Sequence, residues 1–147
     1  MSSHPTNAEV ARRYAEASMR DDLEVMAALR HQDWTTYWPQ SGEMVRGSQH
    51  FREMADAYPG GRPTVVELER IVGDEDRWVV SAGNTVMRVA GSGDFWWCEW
   101  RMRYPDNAIY HCVSLMELRD SLVWREVVYW ASPFDAPSWR SEWVEHS

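Results

Sequence analysis

The residue best suited to catalysis in this sequence is Glu126, a carboxylate set among apolar and aromatic residues. If it points into an aromatic cavity, loss of hydration disfavours the charged form, and the carboxyl becomes able to exchange a proton near neutral pH. A group with that property can act as a general acid or base. The alternative is that Glu126 pairs with an arginine, or lies near the open edge of a sheet and contacts water.

Two further residues could assist such chemistry, and we take Glu126, Tyr14 and Glu43 as the candidate catalytic residues. Tyr14 lies on a predicted helix and could donate a hydrogen bond to a developing oxyanion. It could equally pack with its hydroxyl at a pocket wall. Glu43 follows the turn Gln40–Gly42 and could act as a second carboxylate or bind a ligand. The alternative, which we favour, is that Glu43 pairs with Arg46 and braces the loop.

The sequence contains no pattern for nucleophilic or metal-assisted catalysis. It has no Ser-His-Asp order, nucleophile elbow, phosphate-binding loop or zinc-ligand spacing. Cys98 and Cys112 are too few for a disulfide framework, and neither belongs to a metal-ligand spacing. We therefore expect proton transfer with no cofactor and no metal.

Composition excludes several classes of protein. The 147 residues suit one domain, and fractions of 26% charged and 44% hydrophobic residues are those of a globular chain. With 15 basic and 23 acidic residues, the formal charge of −8 disfavours nucleic-acid binding. No apolar run approaches the roughly 20 residues that span a bilayer, and no secretory signal is visible. We therefore expect a cytoplasmic protein that contacts neither nucleic acid nor membrane.

Tryptophan is the unusual component, with 10 residues in 147. Each indole brings a large, rigid apolar area and one N–H donor that needs a partner. Ten indoles exceed what a small core normally uses. The number indicates an aromatic-lined cavity, a large subunit interface, or both.

The first part of the chain has helical periodicity. Asn7 is a plausible N-cap for a helix over about residues 8–20, and Asp22 for a second, short helix. A strand over 33–38 and a turn over 39–42 follow. A third helix is expected from Gly47, with one apolar stripe, and it ends at Pro59-Gly60-Gly61.

The rest of the chain is predicted to form strands, and helices followed by an antiparallel meander make an α+β fold with the helices on one face of the sheet. We predict one domain over residues 1–147, with a flexible segment 1–7 and a tail 132–147 that holds an extended turn and a short helix. Turn signals separate the predicted strands, which cover residues 64–73, 76–90, 95–104, 108–119 and 122–131.

Alternation along the strands separates an inner face from an outer face. The facing of the last strand depends on the turn before it. A two-residue turn at Asp120–Ser121 pairs Met116 with Arg125, whereas a three-residue turn pairs Met116 with Trp124 and Ser114 with Glu126. One residue of slip exchanges the two faces, so these patterns leave both turns open.

Several segments together resemble a known family: Asp22-Leu23, Trp38–Glu43 followed by Arg46-Gly47, Val113–Asp120, and Arg125–Trp130 with Pro133-Phe134. With the order of elements, they resemble the nuclear transport factor 2-like superfamily, whose SnoaL-like members include polyketide cyclases. The resemblance covers nearly the whole chain. It implies a cone-shaped curved antiparallel sheet wrapped around three N-terminal helices, with a deep apolar pocket at the open end. It also implies a homodimer through the outer sheet face.

Within this superfamily, the ketosteroid isomerases allow the most direct comparison. Tyr14 resembles their oxyanion-hole tyrosine. Their general base, a carboxylate just before a proline, matches Trp38, and their second carboxylate falls at or beside Ser114, so the resemblance disfavours that isomerase mechanism here. Their pocket-facing tryptophan on the last strand matches Trp130. This match favours the three-residue turn, which directs inward the side chains of Trp124, Glu126 and Val128.

We predict a protein that binds an apolar, ring-containing small molecule and acts as a cofactor-free cyclase, isomerase or hydratase. The alternative is a non-catalytic ligand-binding or dimerisation module of the same fold. Trp34, Trp97, Trp139 and Trp143 could instead cover a dimer interface. The predicted substrate-binding residues are Trp38, Trp96, Trp100, Ser114, Met116, Trp124 and Trp130.

Overall fold

A computed structural model describes the backbone of residues 3–62, 68–72, 77–80 and 85–146. Within these residues, three α-helices are present: α1 (Asn7–Met19), α2 (Leu23–Leu29) and α3 (Gly47–Asp56), and a short 3-10 helix (Ser138–Arg140) lies in the tail. None of the described helices is long and apolar enough to span a membrane. The strands are β1 (Arg30–Trp38), β2 (Glu43–Arg46), β3 (Leu68–Val72), β4 (Arg77–Val80), β5 (Thr85–Ser92), β6 (Phe95–Arg103), β7 (Ile109–Arg119) and β8 (Leu122–Ala131).

Side-chain hydrogen bonds define the start of α1. The Thr6 hydroxyl accepts from the backbone N–H of Glu9, and the Glu9 carboxylate accepts from the backbone N–H of Thr6. This reciprocal capping box contributes about 1 kcal/mol. The predicted N-cap, Asn7, is therefore wrong by one residue. The Asn7 amide instead donates to the carbonyl of Gly93 at 2.8 Å and joins the start of α1 to the β5–β6 turn.

The strands form one curved sheet in the order β2-β1-β8-β7-β6-β5-β4-β3. Neighbouring strands are antiparallel except β1 and β8, which run parallel. The predicted α+β class is confirmed, and its meander is present from β3 to β8. The β1–β8 pairing matters most for function, because it places the first strand of the chain beside the last one.

Two details of the strand prediction are wrong. The predicted single strand 76–90 is two antiparallel strands, β4 and β5, which pair through Arg77 and Arg88. The Ser-Ala-Gly-Asn segment between them lies outside the described residues, and its composition is typical of a turn. The short edge strand β2, which pairs Glu43 with Trp38, was not predicted.

The β7–β8 hairpin contains the two-residue turn. Asp120 and Ser121 have φ values of 53° and 58°, as the tight turns of two-residue hairpins require. Leu118 then lies opposite Val123. The three-residue turn favoured by the resemblance is therefore wrong.

A β-bulge beyond this turn decides the facing of β8. The register shifts after Leu118 and Val123, so that Trp124 has no partner on β7 and Met116 lies opposite Glu126. The extra residue restores the facing that a plain two-residue hairpin would have reversed. The predicted inward direction of Glu126 is thus confirmed, for a different reason from the one expected.

The helices pack on the inner face of the sheet and form the core with it. The predicted alternation is present from Cys112 to Leu118 on β7 and at Trp96 and Cys98 on β6. Trp100 and Met102, which were also predicted to face inward, are only half-buried, as is Arg101 between them. Phe51 and Ala55, from the predicted apolar stripe of α3, pack against the same core. The most completely buried side chains include Trp34, Met116, Val10, Val89, Val123 and Thr36.

Candidate functional site

Glu126 is a buried carboxylate in the middle of the inner face. The bulge on β8 directs its side chain under α1, and only 7% of the residue is exposed. In the strand register, Glu126 lies between Thr36 on β1 and Met116 on β7. An ionised carboxylate in this position requires hydrogen-bond donors around it.

Among the residues whose side chains are described, three donate hydrogen bonds to this carboxylate. Oε2 accepts from the Tyr14 hydroxyl at 2.8 Å and from the Trp34 indole N–H at 2.9 Å. Oε1 accepts from the Ser114 hydroxyl at 3.2 Å. A carboxylate oxygen accepts about two hydrogen bonds. The described donors therefore fill both acceptor positions of Oε2 and one of the two on Oε1.

Arg30 balances the charge of Glu126 through Tyr14. Its Nε donates to the Tyr14 hydroxyl oxygen at 2.7 Å, and its Nη1 donates to the Ser48 hydroxyl at 3.2 Å. The guanidinium carbon lies 3.6 Å from the centre of the Trp34 ring, in a cation–π contact. The result is a buried row of Arg30, Tyr14 and Glu126, in which the phenol accepts from the cation and donates to the anion.

The Tyr14 phenol stays protonated in this arrangement. Burial raises the pKa of Tyr14 well above its ordinary value, and the negative charge of Glu126 raises it further, while Arg30 opposes the shift. The single phenol proton is already donated to Glu126. Tyr14 therefore positions the carboxylate, and its hydroxyl can turn to a ligand oxyanion only if it releases that contact.

Two buried polar atoms on the inner face lack a described hydrogen-bond partner. Across the part of the chain whose side chains are described, the Thr36 hydroxyl and the Trp100 indole N–H are buried with no hydrogen-bond partner. An unpaired buried polar group is costly, and a bound ligand is one way to pair it. Thr36 is the neighbour of Glu126 in the β1–β8 register, so its hydroxyl belongs to the candidate site.

The structure brings together many of the residues predicted from the sequence. Ser114 bonds to Glu126, and Met116 lies opposite it. Trp96 lies opposite Met116, with its indole N–H bonded to the carbonyl of Gly93. Trp100 packs against the same core.

Trp38 and Trp130 form one edge of this face. Their rings meet edge-to-face with centroids 5.3 Å apart, and both residues are half-buried. The Gln40 side chain accepts from the backbone N–H of Trp130 at 2.8 Å, which ties the β1–β2 turn to β8. These two predicted substrate-binding residues therefore lie in contact with each other.

Two predicted site residues lie elsewhere. Trp124 is wrongly predicted to face inward: it is the bulge residue, and its ring lies against the guanidinium groups of Arg119 and Arg125, at 3.5 and 3.9 Å. Glu43 is exposed at the start of β2. Neither side chain contributes a described contact to Glu126.

Sequence reasoning missed Arg30, Trp34 and Thr36 as site residues. β1 begins at Arg30, three residues before the predicted strand, and its alternation places Trp34 and Thr36 on the inner face. The pattern Trp-x-Thr could have been recognised as the inward half of that strand. Nothing in the local sequence around Arg30 distinguishes it from a surface arginine.

The two cysteines stay protonated on the inner face. Burial, with a further contribution from Glu126, raises the pKa of the Cys98 thiol well above its ordinary value. Burial also raises the pKa of Cys112 to about 12. Thiolates are the nucleophilic form of cysteine, so neither residue is poised for attack. No three His, Cys, Asp or Glu residues of the described ranges gather as a metal site.

A concavity of about 420 Å³ is lined mainly by outward-facing residues of β1, β2 and β8. It contains Trp124 with its two arginines. Glu126 also lines it, whereas the three side chains that donate to the Glu126 carboxylate do not. Its lining residues are Asp33, Thr35, Tyr37, Met44, Arg46, Arg119, Trp124, Arg125, Glu126 and Val127.

Comparison with known proteins identifies relatives of this arrangement. Residues 11–126 match the family described as SnoaL-like domain. No curated protein matches the chain. A solved NTF-2 like protein of unknown function from Burkholderia xenovorans LB400 is 27% identical, with 96% of this chain and 94% of that chain covered at a TM-score of 0.69.

Two more distant solved structures share the fold. A proposed ketosteroid isomerase from Kribbella flavida DSM 17836 is 20% identical, with 96% of this chain and 89% of that chain covered at a TM-score of 0.69. A proposed SnoaL-like polyketide cyclase from Shewanella denitrificans OS-217 is 11% identical, with 87% and 92% covered at a TM-score of 0.52. At these identities the likeness concerns architecture, and activity has to be argued from the site.

Proposed function

Because this chain belongs to the SnoaL-like domain family, we propose that it is an enzyme that moves a proton on an apolar, ring-containing small molecule without a cofactor. Glu126 acts as the general acid or base. Cyclisation, isomerisation and hydration are the reaction types that such a proton transfer serves.

The observation that carries this proposal is the bonding of the Glu126 carboxylate. It is 7% exposed, its described hydrogen-bond donors are neutral, and they leave one acceptor position of Oε1 open. Arg30 reaches it only through the Tyr14 oxygen, so the cation does not occupy the position where a substrate proton would arrive. A carboxylate kept solely for stability gains nothing from leaving that position open.

The charge balance favours an anionic intermediate. When Glu126 takes a proton from a carbon acid it becomes neutral, and the positive charge of Arg30 is then uncompensated in a buried region. A negative oxygen developing on the substrate restores that balance. The unpartnered Thr36 hydroxyl, on the strand next to Glu126, is a described donor free to stabilise this oxygen.

The apolar side chains on the same face as Glu126 support the proposal of an apolar substrate with rings. Trp96, Trp100 and Met116 lie on the same face as Glu126, and indole and thioether surfaces pack well against hydrocarbon rings. The names of two relatives refer to a ketosteroid and a polyketide. Both names refer to compounds that contain a ketone, which acidifies the neighbouring C–H bonds. We propose that the substrate of this chain also contains a ketone.

The test is hydrogen–deuterium exchange of ring-containing ketones in D2O, read by proton NMR with and without the protein. We expect Glu126→Gln to lower the exchange rate by about 10²–10⁴-fold, the usual contribution of a general base. Glu117→Gln is the matched control, because Glu117 is an exposed carboxylate on the neighbouring strand. Equal rates in wild type and Glu126→Gln would remove Glu126 from the mechanism.

The second candidate is a non-catalytic ligand-binding module. The three donors on Glu126 favour it, because together they satisfy most of the carboxylate and make a rigid polar floor. Native mass spectrometry of the purified protein separates the two functions. A bound ketone-free hydrocarbon, with no exchange activity on any ketone, supports the module and contradicts the enzyme.

We also propose a cytoplasmic homodimer that associates through the outer sheet face. Large apolar side chains are exposed on that face, including Tyr37, Met44 and Tyr129, with Met44 51% exposed. Contiguous exposed apolar surface is typical of interaction sites. Sedimentation velocity over a range of protein concentrations tests it, and a single monomeric species throughout contradicts it.

A further inference from the structure

The outer-face concavity gathers positive charge in an acidic protein. Three arginines line it, Arg46, Arg119 and Arg125, against two carboxylates. Of the carboxylates, Asp33 is exposed, whereas Glu126 is buried and already accepts hydrogen bonds from the inner face. Within the described part of the chain, none of the three arginines has a carboxylate within 4.0 Å, although acidic residues outnumber basic ones by 23 to 15. An anionic partner would satisfy these guanidinium groups.

An aromatic platform lies between the arginines. Trp124 has the Arg119 guanidinium 3.5 Å and the Arg125 guanidinium 3.9 Å from its ring centre, and these contacts hold both groups in place. Tyr37 and Met44 add apolar surface that is itself exposed. The concavity therefore fits a partner that presents an aromatic ring next to carboxylates.

The C-terminal tail presents that combination. The segment Glu142-Trp143-Val144-Glu145, which we call the EWVE segment, has two acidic residues flanking two apolar ones. All four residues are exposed, and Trp143 is 74% exposed. Tryptophan is enriched where protein surfaces associate, so an indole with this exposure is suited to an interface.

We propose that the EWVE segment of a second copy of this chain docks in the outer-face concavity, with Trp143 against its apolar wall and Glu142 and Glu145 on the arginines. The chain's own Trp143 does not line its own concavity. In a two-fold dimer each tail serves the other copy, so the contact is made twice. This inference rests on the proposed homodimer and assigns to it a specific contact between the two copies.

The test exploits this reciprocity through charge reversal. One full-length variant carries Arg119→Glu and Arg125→Glu, and a second carries Glu142→Arg and Glu145→Arg. Each variant alone meets a like charge at both contacts, so we expect its dimer dissociation constant to rise at least tenfold over wild type. When the two variants are mixed, both contacts again join opposite charges, and we expect a heterodimer close to wild-type affinity.

Sedimentation velocity with one variant fluorescently labelled measures all three dissociation constants. Arg13→Glu and Asp135→Arg serve as the control pair, because both residues are exposed and outside the proposed contact. Circular dichroism verifies that each variant is folded. A Trp143→Ala variant, which leaves every charge in place, should weaken the dimer as well.

The results distinguish an incorrect docking site from the absence of a dimer. A monomeric wild type overturns both. A wild-type dimer whose affinity is unchanged by either charge reversal overturns only the docking of the EWVE segment, and leaves the concavity to a free anionic ligand or another protein. Weakened variants that do not recover on mixing also overturn it.

Discussion

Tyr14 and Glu126 are 112 positions apart in the chain and joined by a hydrogen bond of 2.8 Å in a buried position. The bond connects the first helix to the last strand, and β1 lies beside that strand, between β2 and β8. Arg30 completes the arrangement from the start of β1. Residues from the N-terminal and C-terminal parts of the sequence thus form this buried polar cluster together.

Removal of Arg30 should destabilise the protein strongly. Arg30→Met leaves the Glu126 charge without its buried counter-charge, and we expect a loss of about 3 kcal/mol in the free energy of unfolding. Urea denaturation measures it. The double variant Arg30→Met/Glu126→Gln should lose less than the sum of the single changes, because no charge is left uncompensated.

The control for Arg30 is Arg20→Met. Arg20 forms an ion pair with Glu16 on the surface of α1, with 62% of its side chain exposed. A pair of that kind contributes little. Equal losses for the two arginines would contradict the charge-balancing role of Arg30.

Thr36→Val should separate stability from function. The Thr36 hydroxyl is buried without a partner, so its replacement by a methyl group of similar shape should leave stability unchanged or raise it by about 1 kcal/mol. The rate of ketone exchange should fall, since a donor to the substrate oxygen is lost. Thr35→Val, on the opposite side of the same strand, is the control and should leave the rate unaltered.

Gly91 should tolerate no side chain. Its φ is +154°, and a Cβ placed there would lie 2.3 Å from the carbonyl oxygen of Phe95 and 2.7 Å from the Cα of Trp96. Gly91→Ala should therefore cost about 2–4 kcal/mol in urea denaturation, because backbone atoms of β6 must move. Gly93→Ala meets no atom within 4 Å and should cost only about 1–2 kcal/mol of left-handed strain. A smaller loss at Gly91 than at Gly93 would be inconsistent with this packing.

Alkaline pH should weaken the fold through Tyr14. Burial raises its pKa in the folded protein above the ordinary 10.0, so the folded chain retains a proton that the unfolded chain releases. The stabilisation from Tyr14 is complete below about pH 10 and is lost as pH rises above it, with a slope of about 1.4 kcal/mol per pH unit. Urea titrations at pH 9, 10 and 11 should show that Tyr14→Phe lowers this slope. Tyr129→Phe, a change at an exposed tyrosine, should keep it.

The sequence alone determined the helices, most of the strands and the inner faces of β6 and β7. Caps, the apolar stripe of α3 and the alternation of β6 and β7 are local features, set by the periods of helix and strand, so they placed Trp96, Ser114 and Met116 on the inner face. The tight turn at Asp120–Ser121 was also among the local possibilities. The bulge at Trp124 was not, because it depends on how β8 meets both of its neighbours.

Only the tertiary structure decided the environment of Glu126. Its facing depends on one extra residue in β8, and its partners come from α1 and β1, which approach it only after the sheet has formed. No local pattern marks Arg30 as the counter-charge or Thr36 as an unpaired neighbour, because burial and pairing are properties of distant segments in contact. The sequence contains residue types suited to acid–base chemistry. These residues come together as a site only because the first and last strands pair in parallel.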